Sequence, residues 1–168
     1  DWDLWIGPAK NNGYTPGLHA FSWRGYWEYG TGSLGDMGCH IMDVPIKALG
    51  IFDPFSIEAS VPRVPYVADF TPAPVYEESC PPSSYVTYKF RPSKINDSEV
   101  KMIWMDGGIR PSHPEIITDK DQIGDNGILM LGENGLIWSD YYGVNARLYI
   151  KGQKGAVEVG KISEINSV

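Results

Sequence analysis

Gly30-Thr-Gly-Ser-Leu-Gly-Asp-Met-Gly-Cys-His-Ile-Met-Asp43 is where small residues, ionisable residues and a helical pattern coincide. Ser33 followed three residues later by Asp36 reads as a capping box, in which side chains satisfy the free N–H groups of a helix start. From there Asp36, His40 and Asp43 fall at i, i+4 and i+7. At about 100° per residue they occupy a stripe roughly 60° wide on one helical face. Met37, Ile41, Val44 and Ala48 form a second, apolar stripe turned by roughly a quarter circle. Gly35, Gly38 and Pro45 leave a third side nearly bare, open to close approach by another group. The expected element is one helix over Leu34–Leu49, ended by Gly50 as its C-terminal cap, with a kink or early end at Pro45.

Three readings of the polar face stay open from the residues alone. Asp36 as a cap, His40 as a hydrogen-bonded side chain and Asp43 as a solvated charge need no function. A carboxylate four residues from an imidazole can share a metal ion, although no further His or Cys cluster supports one. The same pair can move a proton, with His40 as acid or base and Asp36 orienting it or holding a substrate hydroxyl. Gly30-Thr-Gly32-Ser-Leu-Gly35 also fits the dinucleotide fingerprint, with Asp53 at a suitable distance. The bulky, polar Trp23–Tyr29 before it and the short Gly50–Asp53, stopped by Pro54, do not supply the strands that fingerprint needs.

Asp1-Trp-Asp-Leu-Trp-Ile-Gly-Pro8, Phe21-Ser-Trp-Arg24 and the Gly30–Asp43 stretch together resemble the Gfo/Idh/MocA oxidoreductases, in particular a bacterial branch with a tryptophan-rich loop. Trp104-Met-Asp-Gly-Gly108 and Gly127-Ile-Leu-Met-Leu-Gly-Glu-Asn-Gly135 resemble later segments of that branch. The resemblance implies a C-terminal α+β domain that supplies a substrate pocket and an open sheet. It implies NAD or NADP bound by a separate N-terminal Rossmann domain, together with a Glu-Lys-Pro lysine, neither of which is in this sequence. The chain is then expected to be the substrate-side part of an enzyme, binding no cofactor itself and lacking dehydrogenase activity alone.

On the same resemblance, Asp36 and His40 are the catalytic pair. Arg24, Trp23 and Trp5 line the substrate pocket, and Asp43 supports it. The substrate is a sugar or cyclitol, and the reaction is hydride transfer between its carbinol carbon and the nicotinamide. The resemblance also implies homodimers or higher oligomers through the sheet face. Two alternatives belong to other classes: an NAD-dependent glycosidase of the same family, and a non-catalytic sugar-binding or dimerisation module.

Composition narrows the classes. The chain has 168 residues and a formal net charge of −7 spread along its length, which speaks against a nucleic-acid partner. No apolar run is long enough to span a membrane, and no leader segment is recognised. An opening on Asp1 is expected to mean excision from a longer protein, whose compartment, cytoplasmic or periplasmic, stays open. Cys39 and Cys80 sit at unrelated positions and make neither a disulfide framework nor a metal motif.

Read in order, residues 1–33 show no sustained period and hold Trp2, Trp5, Trp23 and Trp27. An ordered aromatic loop is expected, whose rings beside Asp3, His19 and Arg24 suit a polyol by stacking and hydrogen bonding. After Pro54 the pattern becomes strands. Phe55–Val64 alternates, a Pro-rich loop with Asp69, Glu77 and Glu78 fills 65–83, and Ser84–Phe90 and Val100–Met105 pair. Gly127–Leu131 and Gly135–Trp138 form a hairpin in which Asn134-Gly135 supplies positive φ angles. Asn145–Ile150 is a last strand, followed by a weakly patterned tail over 151–168. The expectation is a single α+β domain, 1–168: a mostly antiparallel open sheet over 55–150, packed against one main helix. Several strands are apolar on both faces and so need cover on each.

Overall fold

A computed structural model describes residues 1–62, 77–117 and 123–157. The expected Pro-rich loop over 65–83, with Asp69, lies mostly outside these residues, as does the tail beyond Val157. The described residues are α+β, with three short α-helices and six strands. The chain clusters into two compact units, one of Asp1–Cys39 with Leu49–Pro111 and one of His40–Ala48 with Ser112–Val168.

In the first unit, helix α1 spans Trp2–Ile6 and a 3₁₀ turn spans Ser22–Gly25. The first 33 residues are therefore not loop throughout. Asp1 caps α1 by accepting from Leu4 N at 3.3 Å, which lets so short a helix start. Helix α2 follows over Gly32–Ile41. It begins one residue before Ser33, so Ser33 lies in its first turn rather than at its cap. Gly32 has φ 67°, and a Cβ there would lie 2.8 Å from Cys80 Cβ, so only glycine lets the chain turn into the helix at that point.

The single helix expected over Leu34–Leu49 is two. After Met42 the chain restarts as α3, Asp43–Leu49. Pro45 explains the break: it has no N–H for Ile41, and its ring would clash with that carbonyl in a continuous helix. Placed in the first turn of α3, where N–H groups have no partner inside the helix, Pro45 is tolerated. The first intrahelical bond of α3 is Ile46 N to Met42 O at 3.1 Å.

Strands β1 (Pro54–Ser60), β2 (Tyr85–Phe90) and β3 (Val100–Met105) make an antiparallel sheet in that order. Ala59, Val86 and Trp104 sit opposite one another, as do Ile57, Tyr88 and Met102. Val86, Phe90 and Trp104 are buried, together with Ile6, Leu18 and Ile51 of the same unit. Asp106 closes β3 as a hydrogen-bond hub. It accepts from Ser84 N, from Ser84 Oγ at 2.8 Å and from Trp104 Nε1 at 2.7 Å. This carboxylate therefore satisfies donors from β3 and from Ser84, just before β2, that would otherwise be buried without partners.

The second unit holds β4 (Ile128–Leu131), β5 (Gly135–Ser139) and β6 (Arg147–Ile150), again antiparallel and in order. The open sheet expected over 55–150 is thus two three-stranded sheets. One face of the second presents Leu136 and Tyr149, which form a core with Ile117 and with the half-buried Ile116, Ile123, Leu129 and Trp138. The β4–β5 hairpin forms as expected but turns differently. Gly132 N donates to Gly135 O at 2.9 Å, so Glu133 and Asn134 are the two turn residues. Neither takes a positive φ, and Asn145 is the one described non-glycine residue that does. Gly135 serves another purpose: a Cβ there would run into Tyr149 O, so glycine lets β5 and β6 approach.

Among the described residues, extensive packing between elements joins only neighbouring strands. Apolar side chains of β1 stay exposed, Ile57 at 57% and Phe55 at 41%.

Candidate functional site

The 3₁₀ turn over Ser22–Gly25 sets up the first part of the site. Trp23 O accepts from Tyr26 N at 3.1 Å, and Gly30 N then returns to Tyr26 O at 2.7 Å. A Cβ on Gly30 would lie 2.6 Å from Arg24 O, so glycine is what allows the chain to fold back on itself before α2. This return brings Asp36, on α2, to Arg24. Arg24 Nε lies 3.5 Å from Asp36 Oδ2, with the two side chains 33% and 42% exposed.

Aromatic rings hold the guanidinium on that carboxylate. Its Cζ lies 4.5 Å from the Trp23 ring centroid and 4.6 Å from that of Phe21, and Nη1 donates to Phe21 O at 3.3 Å. The ion pair itself is weak at this exposure, about 0–1 kcal/mol. Its value is orientation: a stacked, planar donor fixes where the carboxylate points.

His40 follows Asp36 by four residues along the same helix, the spacing at which helix side chains are neighbours. Its ring is exposed and meets Tyr142 edge-on, with centroids 5.5 Å apart at 79°. Asp140 holds the turn that carries Tyr142. Its Oδ1 accepts from Val144 N at 2.9 Å, its Oδ2 accepts from Asn145 Nδ2 at 3.1 Å, and its carbonyl accepts from Gly143 N at 3.0 Å. Sequence reasoning missed Tyr142, because a tyrosine pair in a turn has no period that marks it.

Asp43 lies across the helix break, in the first turn of α3, and pairs with Lys47 at 3.0 Å on the surface. The three-residue stripe of Asp36, His40 and Asp43 does not run along one helix. Trp5 sits in an aromatic cluster. It stacks on Trp2 at 4.8 Å and 17°, meets His19 edge-on at 5.8 Å, and tilts against Tyr29 at 5.8 Å. With Trp23, Glu28 and Tyr29 it lines a cleft of about 330 Å³.

A second cavity of about 340 Å³ opens at the start of α2, between Thr31–Gly35, Cys80 and Val86. Burial raises the Cys80 thiol above its ordinary pKa, partly offset by a backbone hydrogen bond. That keeps it protonated and unreactive at neutral pH.

Gly30–Gly35 opens a helix here, but a 3₁₀ turn and the isolated bridge Tyr26–Ser79 precede it instead of a strand. Every strand pairing described is antiparallel. The described residues therefore do not form the parallel strand–turn–helix that holds a dinucleotide. No three His, Cys, Asp or Glu side chains among them gather around a common point. No helix of the described chain is long and apolar enough to cross a membrane.

Comparison with known proteins points the same way as the motif reading over the first third of the chain. No curated protein matches the sequence. The family model described as oxidoreductase family, C-terminal alpha/beta domain, matches residues 1–64, a span that takes in α1, the aromatic segment, α2, α3 and β1. Over those residues, fewer than half of its length, the chain is similar to the C-terminal domain of the Gfo/Idh/MocA oxidoreductases.

Proposed function

We propose that this chain is the substrate side of an oxidoreductase that transfers hydride between a sugar or cyclitol hydroxyl carbon and NAD or NADP. The observation that carries this reading is the ion pair of Arg24 with Asp36, which lies on α2 four residues before His40, both partners inside the matched segment. Asp36, oriented by Arg24, accepts a hydrogen bond from a substrate hydroxyl. His40 Nε2 or Nδ1 takes the proton of the reacting hydroxyl on oxidation and returns it on reduction. Tyr142, edge-on to the imidazole, limits how that ring turns.

Since the described residues do not fit a dinucleotide, the nicotinamide comes from another domain or chain. His40 and Asp36 stand in solvent here, and the approach of that domain dries the site and strengthens their action. The exposed apolar face of β1 fits a homodimer contact through the sheet.

The test is made on the polypeptide as its gene encodes it, assayed with hexoses and inositols and either nicotinamide cofactor. His40→Asn and Asp36→Asn each lower kcat by about 10²- to 10⁴-fold, with a smaller change in KM. Full activity in both variants contradicts the assignment. Released sugar without net cofactor reduction assigns the same face to glycoside cleavage instead.

A further inference from the structure

We infer that the cleft lined by Trp5, Trp23, Tyr29 and Glu28 binds an alkylated ammonium group, as found in a methylated amine or a betaine. The site stands apart from the proton-transfer reading and does not depend on it. Helix α1 places Trp5 one turn after Trp2, and their stacking at 4.8 Å holds the Trp5 indole in place. Tyr29 tilts against Trp5 at 52°, so the two rings meet at an angle rather than lying flat together. The Trp23 ring already carries a cation, since the Arg24 guanidinium sits 4.5 Å from its centroid.

Glu28 supplies the charge. Its Oε1 accepts from Lys10 N at 2.6 Å, which ties the segment after α1 to the segment after the 3₁₀ turn across the cleft. A carboxylate has about four acceptor positions, so one such bond leaves capacity for a ligand. The remaining wall is aliphatic, with the buried Ile6, the half-buried Ala9 and the exposed Pro8. At about 330 Å³ the cleft is at the small end of ligand pockets.

This lining suits a cation better than a polyol. A polyol brings a hydroxyl on nearly every carbon, and each one left without a partner costs free energy. Here the aromatic residues Trp5, Trp23 and Tyr29 and the aliphatic Ile6, Pro8 and Ala9 make most of the wall, with one anion, Glu28. A methylated ammonium spreads its charge over apolar methyl groups. It gains from ring faces through the quadrupole and from one carboxylate, and needs few donors or acceptors.

The full 168-residue chain is titrated with choline and with tetramethylammonium at fixed ionic strength, followed by tryptophan fluorescence and by the indole N–H signals in NMR. Saturable binding is expected, at least about tenfold tighter than for 3,3-dimethylbutan-1-ol, the neutral carbon analogue of choline. Glu28→Gln keeps an acceptor for Lys10 N and removes the charge. It is expected to weaken the cation by about fivefold or more and to leave the neutral analogue unchanged. Trp5→Phe, which keeps an aromatic ring, weakens it less. Equal binding of cation and neutral analogue, unchanged binding in Glu28→Gln, or no saturation by about 100 mM overturns the inference. So does displacement of the fluorescence signal by glucose alone, which assigns the cleft to a polyol.

Discussion

Replacing Asp106 by alanine tests whether one half-buried carboxylate organises the end of the first sheet. Three donors converge on it: Ser84 N–H, Ser84 O–H at 2.8 Å and Trp104 Nε1–H at 2.7 Å. Ser84 is 8% exposed and Trp104 6%, so little water can replace the lost acceptor. A hydrogen bond to a charged group contributes about 1.5–3 kcal/mol, and a stranded buried donor costs about 1–3 kcal/mol. Because the carboxylate itself is only half buried, the three together do not reach the top of those ranges. Asp106→Ala is expected to cost about 3–5 kcal/mol, a large part of an ordinary domain's stability.

Asp106→Asn keeps one acceptor oxygen but turns an NH₂ group toward a donor, and costs about 1–2 kcal/mol. The assay is urea denaturation followed at the Trp104 indole N–H by NMR, which reports the first unit by itself. A loss under about 0.5 kcal/mol for Asp106→Ala, with the Trp104 signal unshifted, refutes the reasoning.

Other perturbations follow from single contacts. Gly135→Ala puts a methyl group into the Tyr149 carbonyl and is expected to lower the melting temperature of the second unit by about 8 °C or more, measured by circular dichroism. An unchanged melting temperature contradicts the close approach of β5 and β6. Burial raises the pKa of the Cys80 thiol and of the Tyr88 phenol, so the folded chain holds these protons longer than the unfolded one. Their contribution to stability is whole below the unfolded-state values and is lost as pH rises through the folded ones. Denaturation midpoints measured across the range are expected to fall above about pH 9. Arg24→Ala costs only about 1–2 kcal/mol in stability, from two ring contacts and a weak ion pair. Arg24→Lys retains the charge but not the planar stack, so a thermal melt places it between the two.

Strand positions were legible wherever the apolar period was strict. Val100–Met105 was read to the residue, and the β4–β5 hairpin was placed by its hydrophobic runs. The positive φ angles assigned to Asn134-Gly135 were not, because close approach of a third strand uses the glycine. That contact lies across the sheet and leaves no local mark. Pro45 announced a break in the helix, but the residue where it falls depends on α3 starting two positions before the proline.

The split into two sheets was hidden because pairing partners are a tertiary matter. Each strand pattern fits one sheet as well as two. Within the candidate site, Arg24 and Asp36 were both named from the chain, and the return through Gly30 brings them together. Asp106 entered the sequence reading only as part of the Trp104–Gly108 stretch that carries the family resemblance. Its spacing from Trp104 puts it on the buried side of β3, which is the signal that marks it. Asp43 was grouped with Asp36 and His40 by a helical period that the break at Met42 interrupts.

The measurement that reaches the central claim most directly is an NMR pH titration of the His40 ring, made with and without a saturating hexose or inositol. The account predicts that the substrate moves the His40 ring signals and shifts its titration, and that Asp36→Asn removes this response while the chain stays folded. Ring signals and titration indifferent to every sugar and cyclitol tried, or a response that survives Asp36→Asn intact, contradicts the assignment of α2 as a proton-transfer face.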